Sequence, residues 1–101
     1  MKKGGFVYIV SNPHRTVLYI GVTSELYERI KNHKNKQGST FTKEYNCVDL
    51  LFYEFHQTIE AAINREKQLK RWNRKWKEDL IQKANIEMRD LYFDLNPNMD
   101  L

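Results

Sequence analysis

The chain has 101 residues, of which 41% are hydrophobic and 30% are charged, and this size allows one domain with a modest core. Its single cysteine, Cys47, excludes a disulfide framework and a cysteine-rich zinc site. A formal net charge of +4 favours a polyanionic partner. The apolar stretch near the start is too short for a signal peptide, and no stretch has transmembrane length. We therefore expect a cytoplasmic protein without a membrane contact.

Two short runs rich in β-branched and aromatic residues come first, over residues 6–10 and 17–22. They flank Asn12-Pro13, which is typical of a turn, so together they predict an antiparallel hairpin.

The hairpin predicts a face with two phenols. If Val10 pairs with Val17, Tyr8 lies opposite Tyr19, and opposed residues share a face of the sheet. Gly21 has no Cβ, so a ligand or another backbone can approach this face closely.

A helix is predicted after the hairpin. Thr23-Ser24 can cap a helix that begins near Glu25, with its acidic side chain at the positive end. Arg29 and His33 are spaced i, i+4 and lie at the edge of the core-facing stripe. Taken alone, such an arginine is usually a surface residue and a lone histidine is usually structural.

The middle of the chain completes the sheet. Residues 34–39 are polar and predict a loop, whereas residues 41–45 fit either a turn or a short helix. Residues 48–55 predict a third strand that adds to the hairpin. These elements predict an α+β fold, with a small three-stranded antiparallel sheet flanked by helices.

Two further helices follow in the sequence. Thr58 caps a helix that we expect to run to about residue 70, and a break near Asn73 separates it from a second helix ending at Ala84. Residues 85–92 are expected to form an extended segment that packs back on the body. The domain is expected to cover residues 1–95, with residues 96–101 as a flexible C-terminal tail.

One residue disagrees with the pattern of the long helix. Its apolar spacing predicts an apolar residue at position 66, and the chain has Glu66. A carboxylate on a buried stripe is costly unless it is paired or coordinates a metal ion. A rotated helix would instead turn Glu66 to solvent, and Lys70 at i+4 could pair with it.

The same helices carry a dense basic run with Trp72 and Trp76 between the cations. This run predicts a nucleic-acid-binding surface, or simply a solvated face. The tryptophans are expected to be core anchors rather than base-stacking platforms. The cations are Arg65, Lys67, Lys70, Arg71, Arg74, Lys75 and Lys77.

Five side chains together suit attack on a phosphodiester: Tyr8, Tyr19, Arg29, His33 and Glu66. Mg²⁺ is commonly held by one or two carboxylates with waters and phosphate oxygens, so one glutamate suffices. An arginine can stabilise charge that develops on the phosphate oxygens. A tyrosine can orient or deprotonate the attacking water if its pKa, normally about 10, is lowered.

Motifs in the same order carry a resemblance over about residues 6 to 92. The chain resembles the GIY-YIG nuclease superfamily, and most closely its small single-domain bacterial branch. The motifs are Val7-Tyr8-Ile9, Leu18-Tyr19-Ile20-Gly21-Val22-Thr23, Glu28-Arg29-Ile30-Lys31-Asn32-His33 and Arg65-Glu66-Lys67-Gln68-Leu69-Lys70-Arg71-Trp72.

The resemblance implies roles for these side chains. One of Tyr8 and Tyr19 would be the general base and the other would assist it. Arg29 would bind the scissile phosphate, and Glu66 would be the sole protein ligand of Mg²⁺ or Mn²⁺. His33 would contact phosphate or assist proton transfer.

Two positions depart from the family pattern. Phe6 stands where the family name has glycine, which we expect to change packing more than chemistry. The segment beginning at Asn85 resembles a family stretch that usually reads Asn-Pro-x-Trp, but Ile86 and Met88 differ. The role of Asn85 therefore stays open.

The leading hypothesis is a metal-dependent endonuclease that hydrolyses DNA phosphodiester bonds, including branched or damaged DNA, in repair or recombination. The alternative is a non-catalytic nucleic-acid-binding module with the same fold. A third class, a protein-interaction domain, would use the surface of Trp72 and Trp76. A protein partner or a homodimer is compatible with each.

Overall fold

The computed structural model of this chain describes residues 4–100. Three strands and four α-helices form within that range, followed by a short 3-10 helix, Tyr92–Asp94. The elements are β1 (Gly5–Ser11), β2 (Leu18–Thr23), α1 (Leu26–Lys34), α2 (Thr40–Glu44), β3 (Asp49–His56), α3 (Ile59–Arg71) and α4 (Arg74–Ala84).

The three strands form one antiparallel sheet in the order β2-β1-β3, which confirms the predicted α+β fold. β1 is central because it pairs with both neighbours. Residues 41–45, which fitted a turn or a helix, belong mostly to the short helix α2.

Each face of the sheet carries its own apolar cluster, as the alternation of side chains in a strand requires. α3 and α4 pack on the face of Val7 and Ile9. α1 packs on the face of Tyr8 and Val10. The buried helical residues are Ala62, Leu69 and Ile81 on the first face and Leu26 and Ile30 on the second.

The register of the hairpin differs from the predicted one by two residues. Tyr8 lies opposite Gly21, and Val10 lies opposite Tyr19 rather than Val17. The cause is Asn12, whose side-chain oxygen accepts the N–H groups of residues 16 and 17 and so holds them in the loop. A shift of two preserves which face each side chain takes, so Tyr8 and Tyr19 still share a face.

Gly21 accommodates a side chain of β1, not a ligand or a backbone as predicted. A Cβ at Gly21 would lie 2.4 Å from both Cζ and Oη of Tyr8. The ring of Tyr8 therefore crosses β2 through the space that the glycine leaves open.

The predicted cap of α1 is wrong, although the helix begins within one residue of Glu25. The Thr23 hydroxyl accepts the N–H of Glu25, which ends the strand and does not cap the helix. The N–H groups of Tyr27 and Glu28 instead donate to the carboxylate of Asp100. Asp100 thus supplies the negative charge that the helix N-terminus favours.

The two later helices confirm their predicted boundaries. The Thr58 hydroxyl accepts the N–H of Ala61 at the start of α3. α3 ends at Arg71, and the side chain of Asn73 caps α4 by accepting the N–H of Trp76.

Residues 85–92 pack back on the body as expected, but they are irregular rather than extended. Met88 has φ of 51°, which no strand allows. Leu50 receives this segment, because its carbonyl accepts the N–H of Leu91 and its N–H donates to Asp90. Asn85, whose role was open, has a structural contact: its amide donates to the carbonyl of Leu51.

The C-terminal tail contacts the body within the described range. Leu95 is buried, and Met99 packs against the cluster that contains Tyr8. The flexibility expected of residues 96–101 stays a prediction. Across residues 4–100, no helix combines the length and the apolar character needed to cross a membrane.

We expect Gly21→Ala to destabilise the fold by about 1–3 kcal/mol, the usual cost of overpacking a filled site, because the new methyl group would overlap the buried phenol of Tyr8. Urea unfolding followed by circular dichroism measures this cost. The matched control is the same substitution in a Tyr8→Leu background, where the overlap is relieved and the cost should fall. Equal costs in the two backgrounds would show that the two residues are not coupled.

Candidate active site

The hydroxyl of Tyr8 is the centre of a buried polar group on the α1 face. Tyr8 is 1% exposed, and its Oη lies 3.0 Å from Nε2 of His33. Nη1 of Arg29 donates to the same oxygen over 3.4 Å. The i, i+4 spacing on α1 places both side chains over one point of the sheet, since such residues lie one above the other on a helix face.

The hydrogen bonds assign the tautomer of His33. Arg29 has no acceptor, so Nε2 of His33 is the acceptor that the described residues offer to the Tyr8 proton. At the other ring nitrogen, Nδ1 lies 3.2 Å from the hydroxyl of Thr42, which donates to the carbonyl of Ser39. Nδ1 therefore carries the hydrogen and donates to Thr42, whereas Nε2 is free to accept from Tyr8.

Burial sets the charge of both partners. Desolvation raises the pKa of Tyr8 to about 12, although Arg29 opposes the rise. Desolvation, with a smaller effect of the Arg29 charge, lowers the pKa of His33 to about 4. At neutral pH the pair is thus a neutral phenol beside a neutral imidazole. The lowered tyrosine pKa that base catalysis by a phenolate requires is not present at Tyr8.

This polar group lies in a pocket of about 290 Å³ that opens beside α1. It brings together four of the five predicted residues, with Tyr19 ring-to-ring at 6.2 Å from His33. Sequence reasoning missed the residues that complete the wall. The lining residues are Tyr8, Tyr19, Arg29, Asn32, His33, Gln37, Gly38 and Ser39.

The sequence could predict the position of some of the missed residues in the pocket wall but not of others. Asn32 follows Arg29 at i+3, so its place on the same helix side was available from spacing. Gly38 admits no Cβ, since that atom would lie 2.5 Å from Nδ1 of His33. Nothing in the loop pattern signals this contact, because it depends on how the loop folds back over α1.

Glu66 is the one of the five predicted residues that the structure does not bring into this pocket. It lies on α3, which packs on the other face, and it does not line the pocket. Its charge nevertheless contributes to the raised pKa of Tyr8, after burial and after the neighbouring Tyr19. Its side chain is 16% exposed and its Oε2 lies 3.6 Å from Nζ of Lys70. The predicted pairing with Lys70 is therefore present.

The donor set for a metal ion is small. Within residues 4–100, no group of three or more histidine, cysteine, aspartate or glutamate side chains could enclose a cation. Glu66 is partly accessible and is held by one solvated lysine. It can therefore offer a single carboxylate to a cation that keeps most of its waters.

The basic run is less available than its sequence density indicates. Four of its cations are engaged in ion pairs with carboxylates of the same region. These pairs are Arg65–Glu54, Lys70–Glu66, Arg74–Glu78 and Lys75–Asp79. Lys67, Arg71 and Lys77 have no ion-pair partner among the described residues.

The two tryptophans behave differently. Trp72 packs against the core, as predicted, and the Arg65 guanidinium lies 5.3 Å from its ring. Trp76 is 55% exposed, so its expected role as a core anchor is wrong. Both line a groove of about 300 Å³ on the outer side of α4.

Comparisons with known proteins agree with this architecture. A family model described as the GIY-YIG catalytic domain matches residues 4–79. A UPF0213 protein of Clostridium perfringens is 32% identical over 91 residues, which cover 90% of this chain and 97% of that protein. The UPF0213 protein YazA of Bacillus subtilis is 31% identical over 87 residues, covering 86% and 87% of the two chains. No solved structure matches the chain.

The family match extends from β1 into α4. It therefore includes both strands of the hairpin, the helix that carries Arg29 and His33, and the helix that carries Glu66. Because the match spans most of the residues and a relative covers nearly the whole chain, the protein belongs to the GIY-YIG family of catalytic domains.

Proposed function

We propose that this protein is a divalent-metal-dependent endonuclease that hydrolyses DNA phosphodiester bonds. The observation that carries the proposal is the buried Tyr8 hydroxyl, held between the cation of Arg29 and the acceptor nitrogen of His33 at the wall of an open pocket. The proposal includes branched or damaged DNA as substrate, in repair or recombination, and the cleavage assay below contains branched and nicked DNA.

Arg29 supplies the fixed positive charge of the pocket. Its guanidinium already points at the Tyr8 oxygen, next to the place where a phosphate would meet that hydroxyl. A preorganised cation in a partly desolvated site stabilises the charge that develops on the phosphate oxygens. The pocket has room for a phosphate group with its attacking water.

Tyr8 and His33 form a proton relay. A tyrosine with a pKa of about 12 is a weak source of phenolate. The Tyr8 oxygen can nevertheless take a proton from water while its own proton moves to Nε2 of His33, so the phenol stays neutral throughout. Nε2 of His33 is unprotonated at neutral pH and can take this proton, and the imidazolium that forms is short-lived because the pKa of the ring is about 4. The imidazolium then gives the proton to the leaving oxygen or to solvent. Tyr19, which lines the same pocket, orients the attacking water.

Glu66 fits a hydrated divalent cation. Mg²⁺ and similar ions bind through one or two carboxylates and complete their shells with waters and substrate phosphate oxygens. A cation bound to Glu66 would supply Lewis-acid stabilisation of negative charge on the phosphate. Lys70 would have to leave the carboxylate, and since its side chain is 53% exposed, water can replace Glu66 as its partner.

The second candidate is a non-catalytic module that binds nucleic acid through exposed cations. Lys67 and Arg71 on the outer side of α3 favour it, because neither has an ion-pair partner within residues 4–100. Binding to duplex DNA would then fall with salt, with a log–log slope of about −0.9 per neutralised phosphate. Both candidates bind DNA, so cleavage separates them.

We expect Glu66→Gln to lower DNA cleavage in Mg²⁺ or Mn²⁺ by more than about 100-fold, because even second-shell losses at metal sites cost about 10–100-fold. Labelled single-stranded, nicked and branched DNA provide the assay, and DNA binding should persist. Glu78→Gln is the matched control and should cleave normally. Like Glu66, Glu78 is a glutamate in an i, i+4 ion pair, but it lies on α4. If wild type and Glu66→Gln cleave equally, the metal assignment is wrong; binding without any cleavage favours the non-catalytic module.

We expect Tyr8→Phe to lower the cleavage rate by about 10²–10⁴-fold, the usual contribution of general acid–base catalysis, while the ring keeps its packing. Tyr19→Phe should cost less, because the Tyr19 hydroxyl has no bond to His33. Single-turnover cleavage at saturating protein measures both. The reverse order of the two effects would assign the general base to Tyr19.

We expect the His33 ring to titrate near pH 4 and to carry its hydrogen on Nδ1. Nitrogen-15 NMR of labelled histidines measures both, with His14→Gln and His56→Gln assigning the other two rings. Because the pKa in the folded state lies below the unfolded value of about 6.5, the unfolded chain takes the proton first. Stability should then decline by about 3 kcal/mol as the pH falls from about 6.5 to 4. A titration near 6.5 would show that burial does not depress the pKa of His33, and a hydrogen on Nε2 would contradict the relay, because that nitrogen could not then accept from Tyr8.

A further inference from the structure

Three aromatic side chains form a continuous edge beside the pocket, and we call this edge the aromatic rim: Tyr19, Phe41 and Tyr45. The rings of Tyr19 and Phe41 are stacked, with centroids 5.7 Å apart and planes at 29°. The rings of Phe41 and Tyr45 follow at 4.6 Å. Phe41 is 41% exposed and Tyr45 is 45% exposed.

The rim is joined to the pocket through residues that the two share or that are bonded to each other. Tyr19 lines the pocket itself, and so does Ser39, whose hydroxyl caps α2 by accepting the N–H of Thr42. Thr42 is buried and binds His33, so its neighbour Phe41 is held at a fixed distance from the relay. The rim therefore continues outward from the pocket wall at Tyr19.

Folding alone does not explain these two exposed rings. α2 has five residues, and its buried residue is Thr42, which already attaches it to α1. Phe41 and Tyr45 bury only part of their surface, and contiguous exposed apolar surface on a soluble domain commonly marks a binding site.

The segment that carries Phe41 and Tyr45 is positively charged. Residues 31–45 contain four lysines and one carboxylate, Glu44. Lys31, Lys36 and Lys43 are exposed and have no ion-pair partner among the described residues. Aromatic rings beside unpaired cations are the combination with which proteins hold single-stranded nucleic acid, since bases stack on the rings and phosphates approach the cations.

We propose that the aromatic rim stacks the base of a nucleotide next to the scissile phosphate, and that this base must be unpaired. A base inside a duplex has both faces covered by its neighbours, so it cannot offer a face to Phe41. The site therefore favours single strands, flaps and gaps over intact duplex. This inference rests on the proposed phosphate site in the pocket, because the rim is placed relative to it.

The test is a binding measurement in a protein that does not cleave. Fluorescence anisotropy compares a labelled oligothymidylate with a labelled duplex hairpin at one salt concentration, in a Glu66→Gln background. We expect Phe41→Ala to weaken single-strand binding roughly 5- to 150-fold, the range for loss of one stacked base. Duplex binding should change less than about twofold, because phosphate contacts dominate it.

Three variants isolate stacking from other effects. Phe41→Leu keeps apolar bulk against Tyr19 without a ring face, so it should weaken binding as Phe41→Ala does. Phe41→Trp should restore single-strand binding. Phe93→Ala removes another exposed phenylalanine, at a site outside the pocket, and should bind as the parent does.

Parental single-strand binding by Phe41→Leu would contradict base stacking on the rim. Equal losses of single-strand and duplex binding would contradict it as well.

The cleavage assay tests the endonuclease proposal separately. A wild-type protein that shows Phe41-dependent binding but no cleavage would support the rim and reject the endonuclease. Cleavage that depends on Glu66, together with binding unaffected at Phe41, would support the endonuclease and reject the rim.

Discussion

The position of the Tyr8 hydroxyl depends on a missing atom, the Cβ of Gly21. Because that glycine lies opposite Tyr8 in the ladder, the phenol can lie across β2 and still be fully buried. Its oxygen then meets the two side chains that α1 presents one turn apart, Arg29 and His33. A methyl group at position 21 would move the oxygen and so disturb both hydrogen bonds at once.

Burial gives that hydroxyl its chemistry as well as its place. A charged imidazole would be a buried cation next to the Arg29 guanidinium, and the low pKa of His33 avoids this. The neutral imidazole then needs a donor and an acceptor, and Tyr8 and Thr42 supply them on opposite sides of the ring. Such a buried network is costly when half satisfied. At rest the phenol and the imidazole are therefore both neutral, and the proposed transfer of the Tyr8 proton would charge the ring only transiently.

The sequence predicts those parts of the site that rest on local periodicity. Tyr8 and Tyr19 share a face because strand alternation survives a register shift of two, even though Asn12 moved the register. Glu66 is predicted as a site residue because it breaks a helical pattern, although the structure does not bring it into the pocket. Thr42 is not predicted, since its bond to His33 joins a short helix to a longer one across a loop, and no spacing rule reaches that far. The cap supplied by Asp100 was hidden for the same reason.

Positive charge along the sequence is a poor guide to positive charge at the surface. Four of the seven cations in the densest run, on α3 and α4, are paired with carboxylates of β3, α3 and α4. Lys31, Lys36 and Lys43 are farther apart in the chain, yet they lie in the segment that forms the pocket wall and the aromatic rim, where only Glu44 opposes them. A phosphate is attracted by cations that are not already paired. We therefore expect a polyanion to approach the side of the molecule that carries the pocket, whereas the exposed cations of α3 lie on the other face of the sheet with Glu66, the proposed metal ligand.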